Sequence, residues 1–280
     1  MTLVMGGVAY DPKVVTIWDG FRRWLRGQGL EFDYVLYSNY ERQVEELVAG
    51  RIDAAWNSPL AWLRSERLAA ARGRTVVSAV MRDTDQDLTS VVVVRADSPA
   101  RTVADLKGAT VAVGAVDSPQ STLIPLSYLH GEGVGDLTVR RFDVGVGLHG
   151  DHIGGERDAA RALVAGEVDA ACMIDGNHLL FGREGTLPAG ATRILAQTPV
   201  YDHCTMAVVD TAPQAEAAEF VRLLESMSYA DPEVRPLLDL EGLRRWVPGR
   251  TSGFGPLGRA VDETGFYDAA GEVTAADYVP

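Results

Sequence analysis

No stretch of the 280 residues approaches the roughly 20 consecutive apolar positions that a membrane-spanning helix needs, so no transmembrane segment is expected. Cysteine is nearly absent. Cys172 and Cys204 could form one disulfide, but two cysteines make no disulfide framework. Positive charge is in deficit, with 26 Lys and Arg against 39 Asp and Glu and a net charge of −13. That balance argues against a nucleic-acid backbone as partner. It leaves room for a small anion, because one pocket can be locally positive on an acidic protein. No low-complexity linker interrupts the chain. The opening residues, Met1–Tyr10, show no basic stretch, long apolar run or small-residue cleavage site of a secretory leader. As the sequence stands the expected location is the cytoplasm, with the periplasm or cell exterior the alternative if a leader has been removed.

What is present is an ordinary globular composition, 46% hydrophobic and 23% charged, in a chain long enough for one or two domains. One phrase occurs twice. Residues 47–55 read LVAGRIDAA and residues 163–171 read LVAGEVDAA, identical at seven of nine positions. Each copy predicts a helix ended by a glycine in the left-handed conformation (Gly50, Gly166) and then a short strand. Helix–Gly–strand is half of a βαβ unit, and two such units suggest two similar α/β lobes. Ligands on open parallel sheets bind beyond the carboxyl ends of strands. Those ends are Trp56-Asn57-Ser58-Pro59 and Cys172-Met173-Ile174-Asp175.

The flanking pattern agrees. Residues 13–28 predict a helix with Val14, Ile17, Trp18, Phe21, Trp24 and Leu25 on one side. Asn39 is placed to cap a helix over 40–49. Thr102 and Asp105 resemble a capping box with Asp in place of Glu. After the strand Thr110–Val113 and Gly114, a loop through Ser118, Ser121 and Thr122 leads into a helix. Small hydroxyls and free N–H groups at a helix start form a natural anion site. Simple helix capping by Ser121 and Thr122 is the alternative. Lobe-joining segments are expected near 82–92 and 192–205. The alternating carboxylates of the first (Asp83, Asp85, Asp87) read as a solvated hinge loop, lacking the glycine and terminal Glu of a calcium loop. Arg82 before them is a candidate counter-charge for an anionic ligand.

The runs Leu47–Ala61 (LVAGRIDAAWNSPLA) and Val93–Tyr128, with its DLKG, VAVG and spaced Ser-Ser-Pro elements, and the second repeat together resemble the phosphonate/phosphite-binding (PhnD-type) proteins of ABC importers. The resemblance covers most of residues 1–210. It implies an α/β, two-lobed type II periplasmic-binding-protein fold with the ligand cleft between lobes. Residues 1–86 plus 200–280 would form the first lobe and 87–199 the second. It further implies that Ser118, Ser121 and Thr122 hold the anionic group of a small ligand, phosphonate- or phosphate-like or a carboxylate. Tyr10, Trp56, Asn57 and Ser58 would contribute from the first lobe, although core packing is the commoner fate of a Trp. An ABC permease is the implied partner if the protein is exported.

Four of the five histidines fall between 149 and 203. His149, His152 and Glu156 are raw material for an iron or zinc site. However, Gly150, Gly154 and Gly155 make this stretch a loop, and the spacing matches no metal signature. No metal and no cofactor is expected. Substrate contact by His149 and His152 fits better, since a glycine-rich loop lets backbone approach a ligand and imidazole can donate to an oxyanion or move protons. A surface-loop role stays open. Asp175 and His203 are further candidate contacts. Cys172 reads as inert core. A thiolate at Cys204 would be helped by an imidazolium, but neighbours on a strand point to opposite faces, so His203 is not expected to pair with it. Two functions remain: a solute-binding protein for a small anionic or zwitterionic molecule, or a cytosolic enzyme on the same fold. The enzyme would use His149, His152 or Cys204 for acid/base or nucleophilic chemistry of the lyase or decarboxylase type, possibly metal-assisted.

Overall fold

The chain opens with alternating strands and amphipathic helices: β1 (Leu3–Val8), α1 (Lys13–Gly27), β2 (Phe32–Tyr37), α2 (Tyr40–Val48), β3 (Ala54–Asn57), α3 (Pro59–Ala71) and β4 (Val76–Arg82). This is a computed structural model, and it describes residues 1–150 and 153–280. Asp151 and His152, the latter a candidate contact, lie outside the described residues. The chain then crosses to β5 (Ser90–Arg95), β6 (Thr110–Val113), α4 (Ile124–Gly131), β7 (Thr138–Arg141), α5 (Gly154–Val164), β8 (Ala170–Ile174), α6 (Asp175–Glu184) and β9 (Thr192–Gln197). It returns through β10 (Thr205–Val209), α7 (Gln214–Ser226), α8 (Arg235–Glu241), β11 (Trp246–Pro248) and α9 (Gly255–Thr264).

The strands make two sheets, ordered β11-β4-β10-β3-β1-β2 and β7-β6-β8-β5-β9. Within each, the βαβ crossovers give parallel pairs, β1 with β2 and β3, and β6 with β7 and β8. The strands that carry the chain between sheets break this pattern. β10 inserts antiparallel between β3 and β4, and β5 lies antiparallel to β8 and β9. The two crossing segments touch each other at an antiparallel bridge, Leu88 to Tyr201. Each sheet is the floor of one lobe, and this short ribbon joins them.

Local signals act as their chemistry dictates. Gly50 and Gly166 have φ of +69° and +74°, a conformation glycine adopts without a Cβ penalty. The Asn39 side chain accepts from the Arg42 N–H at 2.9 Å, and Thr102 with Asp105 forms the capping box. The expected side of α1 is buried at Val14, Ile17, Trp18, Phe21 and Leu25. In the first lobe Phe32 stacks on Phe220 of α7 with ring centroids 5.4 Å apart, and Trp246 meets Trp56 edge-on at 5.5 Å. That core extends to Val116, Leu123 and Ile124 of the second lobe, so apolar contact as well as the ribbon holds the lobes together.

The acidic segment differs from its expected solvated state. Asp85 is 2% exposed, and its two carboxylate oxygens accept from the Arg82 guanidinium at 2.6 and 2.9 Å. A turn after β4 folds the carboxylate back onto an arginine three residues earlier, which alternation along the sequence does not reveal.

Candidate functional site

In the second lobe the carboxyl end of β6 runs through Gly114 to Ser118, then through a π-helical turn (Pro119–Leu123) into α4. Ser118 caps that turn, accepting from the Ser121 N–H at 3.3 Å, and the two hydroxyl oxygens are 2.7 Å apart. Gly114 is needed there because a Cβ would lie 2.2 Å from Ser121 Oγ. Opposite, Gly150 (φ +77°) leaves room for Ser118 and Gln120, whose side-chain atoms would lie 2.8 and 2.7 Å from a Cβ. Gln120 Nε2 donates to the Gly150 carbonyl at 2.7 Å. The hollow so formed is lined by Gly114, Ser118, Ser121, Gly150, Gly155 and Glu156, among others, and measures about 10 Å³, room for roughly one water. Thr122 lies elsewhere, facing a second hollow with Val116, Arg141 and Phe266. Of the three expected hydroxyls, Ser118 and Ser121 converge and Thr122 does not.

The loop between β7 and α5 carries His149 out of the second lobe and into the first. Its φ is +49°, unusual for a residue with a Cβ, and it is fully buried. The Asp117 carboxylate fixes the loop by accepting from the Gly147 and His149 N–H groups at 2.8 and 3.0 Å. The imidazole stacks on Tyr40 at 4.8 Å. Its Nδ1 is 2.6 Å from Ser58 Oγ, and its Nε2 lies 3.1 Å from Glu41 Oε1 and 3.2 Å from the Tyr278 hydroxyl. Burial alone would raise the Glu41 carboxyl. The facing His149 and the hydroxyls of Tyr278 and Tyr267 outweigh it and hold that carboxyl down at about 2. Tyr278 belongs to the segment after α9, which also ion-pairs Asp277 with Arg141 of β7. Glu41, Tyr40, Asp117 and Tyr278 were not singled out from sequence. Only Asp117, beside Ser118 after a glycine-ended strand, carried a local signal.

The first-lobe candidates divide. Asn57 is occupied inside its own lobe, accepting from Gln43 Nε2 at 2.8 Å and donating to Ser65 at 3.0 Å. Ser58 caps α3 and meets His149. Trp56 lies against the core and under the Arg82 guanidinium, 5.2 Å from its ring centroid. Tyr10, in the loop after β1, is half-buried and faces Lys13 at 5.8 Å. Asp175 begins α6 and accepts from Thr89 of the crossing segment at 2.8 Å. Arg82 is committed to Asp85 and to the Glu241 carbonyl at 2.9 Å, so its charge is already balanced.

Near the hinge the expectation for His203 and Cys204 is corrected. Nδ1 of His203 lies 3.1 Å from Cys204 Sγ. Both residues precede β10, so strand alternation does not separate them. Among the described residues, Asp85, His203 and Cys204 form one buried group whose ligand atoms lie within 4.8 Å of one another. Carboxylate, imidazole and thiol are donors that transition metals accept, but Arg82 occupies both Asp85 oxygens and its charge opposes a cation there. His149 and Glu156, by contrast, turn to different partners. Cys172 is buried, and burial pushes its thiol up to about 12.

Two lobes on separate sheets, joined by two crossing segments that pair at Leu88 and Tyr201, have the architecture of the type II periplasmic-binding class. The chain belongs to the family described as ABC transporter, phosphonate, periplasmic substrate-binding protein, which it matches over residues 8–254. No curated protein matches it in sequence. Among solved structures it resembles PhnD1 from Prochlorococcus marinus in complex with methylphosphonate (TM-score 0.66, 15% identity, 94% of this chain and 97% of that one). It also resembles XAC2383 from Xanthomonas citri bound to ATP (0.69, 17%, 93% and 98%). A third is a putative periplasmic sulfonate-binding protein, SsuA, from Methylobacillus flagellatus KT (0.62, 19%, 94% and 86%). At these identities the likeness is one of fold. Among the described residues no helix is long and apolar enough to cross a membrane.

Proposed function

We propose that this chain is a solute-binding protein that closes its lobes on a small oxyanion-bearing molecule of phosphonate or phosphate type, works in the periplasm and passes its ligand to an ABC permease. The observation that carries the reading is the hollow behind Gly114, where the hydroxyls of Ser118 and Ser121 meet at the start of a helical segment. The dipole at such a start favours negative charge, and serine hydroxyls can donate to an oxyanion. The water-sized volume is too small for such a molecule, so binding requires the site to widen. A ligand enters when the His149 loop withdraws from Ser58 and the ribbon at Leu88 and Tyr201 flexes, as hinge closure in binding proteins requires.

Isothermal titration with methylphosphonate, phosphite, phosphate and acetate tests the reading. At least one phosphorus oxyanion is expected to bind, and Ser121→Ala is expected to weaken it by about tenfold, the order of one lost hydrogen bond to a charged group. Unchanged affinity in that variant would remove the anion from this hollow.

A further inference from the structure

The chain from α9 onward touches both lobes, and it holds them unequally. Its root is in the first lobe. Arg64 of α3, 3% exposed, donates to the Gly271 carbonyl at 2.9 Å, and Arg67 donates to the Tyr267 carbonyl at 3.0 Å. The Tyr267 hydroxyl donates to Glu41 at 3.0 Å. Gly271 (φ +82°) presses so closely on α3 that a Cβ would lie 2.9 Å from the Leu68 nitrogen. Thr274 ties the segment back to the end of α9, its N–H donating to Phe266 at 3.0 Å and its hydroxyl to Gly265 at 2.5 Å.

The seam with the second lobe is looser. One hollow of about 260 Å³ lies between Ile124 and Tyr128 of α4 and Pro256 and Arg259 of α9. Another of about 310 Å³ lies between Leu126 and Arg141 on one side and Phe266 and Ala275 on the other. Past these hollows, side chains clasp the second lobe. Asp277 pairs with Arg141 of β7, and both are partly exposed. Tyr278 is 4% exposed, packs on Phe266 with ring centroids 4.8 Å apart, and sets its hydroxyl 3.2 Å from His149 Nε2.

We infer that residues 273–280 form a strap, rooted on the first lobe and fastened to the second through Asp277 with Arg141 and Tyr278 with His149, which must unfasten whenever the lobes part. The reach of the chain requires it. Only Ala275 and Ala276 separate Thr274 from Asp277, and that span extends to at most about 11 Å. The segment has no slack to follow Arg141 through a hinge motion of the lobes. The clasps give way before the root does. Lifting the root would strip buried Arg64 and Glu41 of partners, which is costly, whereas a solvent-exposed ion pair holds weakly. The strap therefore sets how often the His149 loop withdraws. Its effect on ligand entry rests on the binding reading proposed above; the strap itself does not.

Diethyl pyrocarbonate labelling of the full chain, read residue by residue by mass spectrometry, tests the strap. His149 is fully buried between the lobes and reacts when they part. Asp277→Asn is expected to raise its labelling rate by about two- to fivefold, the range of an exposed ion pair. Tyr278→Phe is expected to raise it by about tenfold, the order of one lost hydrogen bond to a charged group. His203, 9% exposed beside the hinge, and His130, exposed on α4, are expected to keep their wild-type rates. Asp277 pairs with Arg141 and not with His149, so an unchanged His149 rate in Asp277→Asn reduces Tyr278 to a local contact and overturns the strap. Equal acceleration at His149 and His203 means general loosening and also overturns it. Should Tyr278→Phe not fold, Asp277→Asn decides alone, because its side chain is on the surface. The labelling uses no anion, so failure of the strap is separate from failure of a phosphorus oxyanion to bind.

Discussion

His149 of the second lobe places its Nδ1 2.6 Å from Ser58 Oγ of the first, while its Nε2 faces the buried Glu41. One imidazole thus links a helix cap, a buried carboxylate and a tyrosine from three separate parts of the first lobe. Removing it should do more than open a gap. His149→Ala leaves Glu41 buried without its facing imidazole, a change that typically costs about 3–5 kcal/mol. Ser58→Ala removes a cap and one hydrogen bond and should cost about 1–2 kcal/mol. Urea denaturation of the three proteins gives the comparison, and a His149→Ala variant as stable as the wild type would sink the assignment. Because His149 is also a contact between lobes, its removal should enlarge the ligand-free radius of gyration in solution scattering.

Acid and alkali should unfold the protein through different carboxylates. Glu41 and Asp85 are both held down at about 2 in the fold, against ordinary values of 4.5 and 3.8. Their stabilisation is fully present above those ordinary values and is lost as pH falls toward 2. It amounts to roughly 2–3 kcal/mol each. Glu156 and Glu241 run the other way, raised by burial from 4.5 to about 7. Folding keeps their protons, so stability declines as pH rises from 4.5 through 7, by about 3 kcal/mol for each. Chemical denaturation at a series of pH values should show a maximum near pH 4–5. Glu156→Gln should flatten the decline toward pH 8, and an identical slope in that variant would refute its part in it.

Much of the fold was legible because its signals are local. The repeated phrase located Gly50 and Gly166 and the strands that follow them. Asn39 and Thr102 announced their caps three residues ahead. The serines at 118 and 121 were legible as a pair because a glycine-ended strand and a helix start bracket them. What escaped depends on residues far apart in the chain. His149 finds partners at positions 41, 58 and 278, and nothing within a short window predicts that convergence. Arg82 illustrates a partner that the sequence did not reveal. Its charge suggested a ligand contact, but a turn only three residues long spends it on Asp85.

That commitment of Arg82 makes a distinct prediction. Arg82→Met should destabilise the fold by about 3–5 kcal/mol, since it strips the buried Asp85 of its partner. The double variant Arg82→Met with Asp85→Leu should recover most of that loss, because a well-packed apolar pair can replace a buried ion pair. If Arg82 instead served the anion directly, the double variant would fold but fail to bind methylphosphonate. Thermal melts and titration of the same two proteins separate these outcomes.

Gly114 gives the sharpest test of the hollow itself. A methyl group at that position would lie 2.2 Å from Ser121 Oγ, so Gly114→Ala must turn the Ser121 hydroxyl away from Ser118 and fill the space between them. Overpacking of this kind costs about 1–3 kcal/mol, which the protein should survive at 25 °C. Anion affinity should drop much further than stability suggests, by about tenfold or more, because the hydroxyl that receives the ligand has been displaced. Gly27→Ala is the matched control. It lies at the end of α1, and a Cβ there meets nothing within 4 Å. That change should leave affinity untouched and raise stability by up to about 1 kcal/mol, the helix propensity gained. Equal affinities in the two alanine variants would mean that the ligand is held somewhere other than between Ser118 and Ser121.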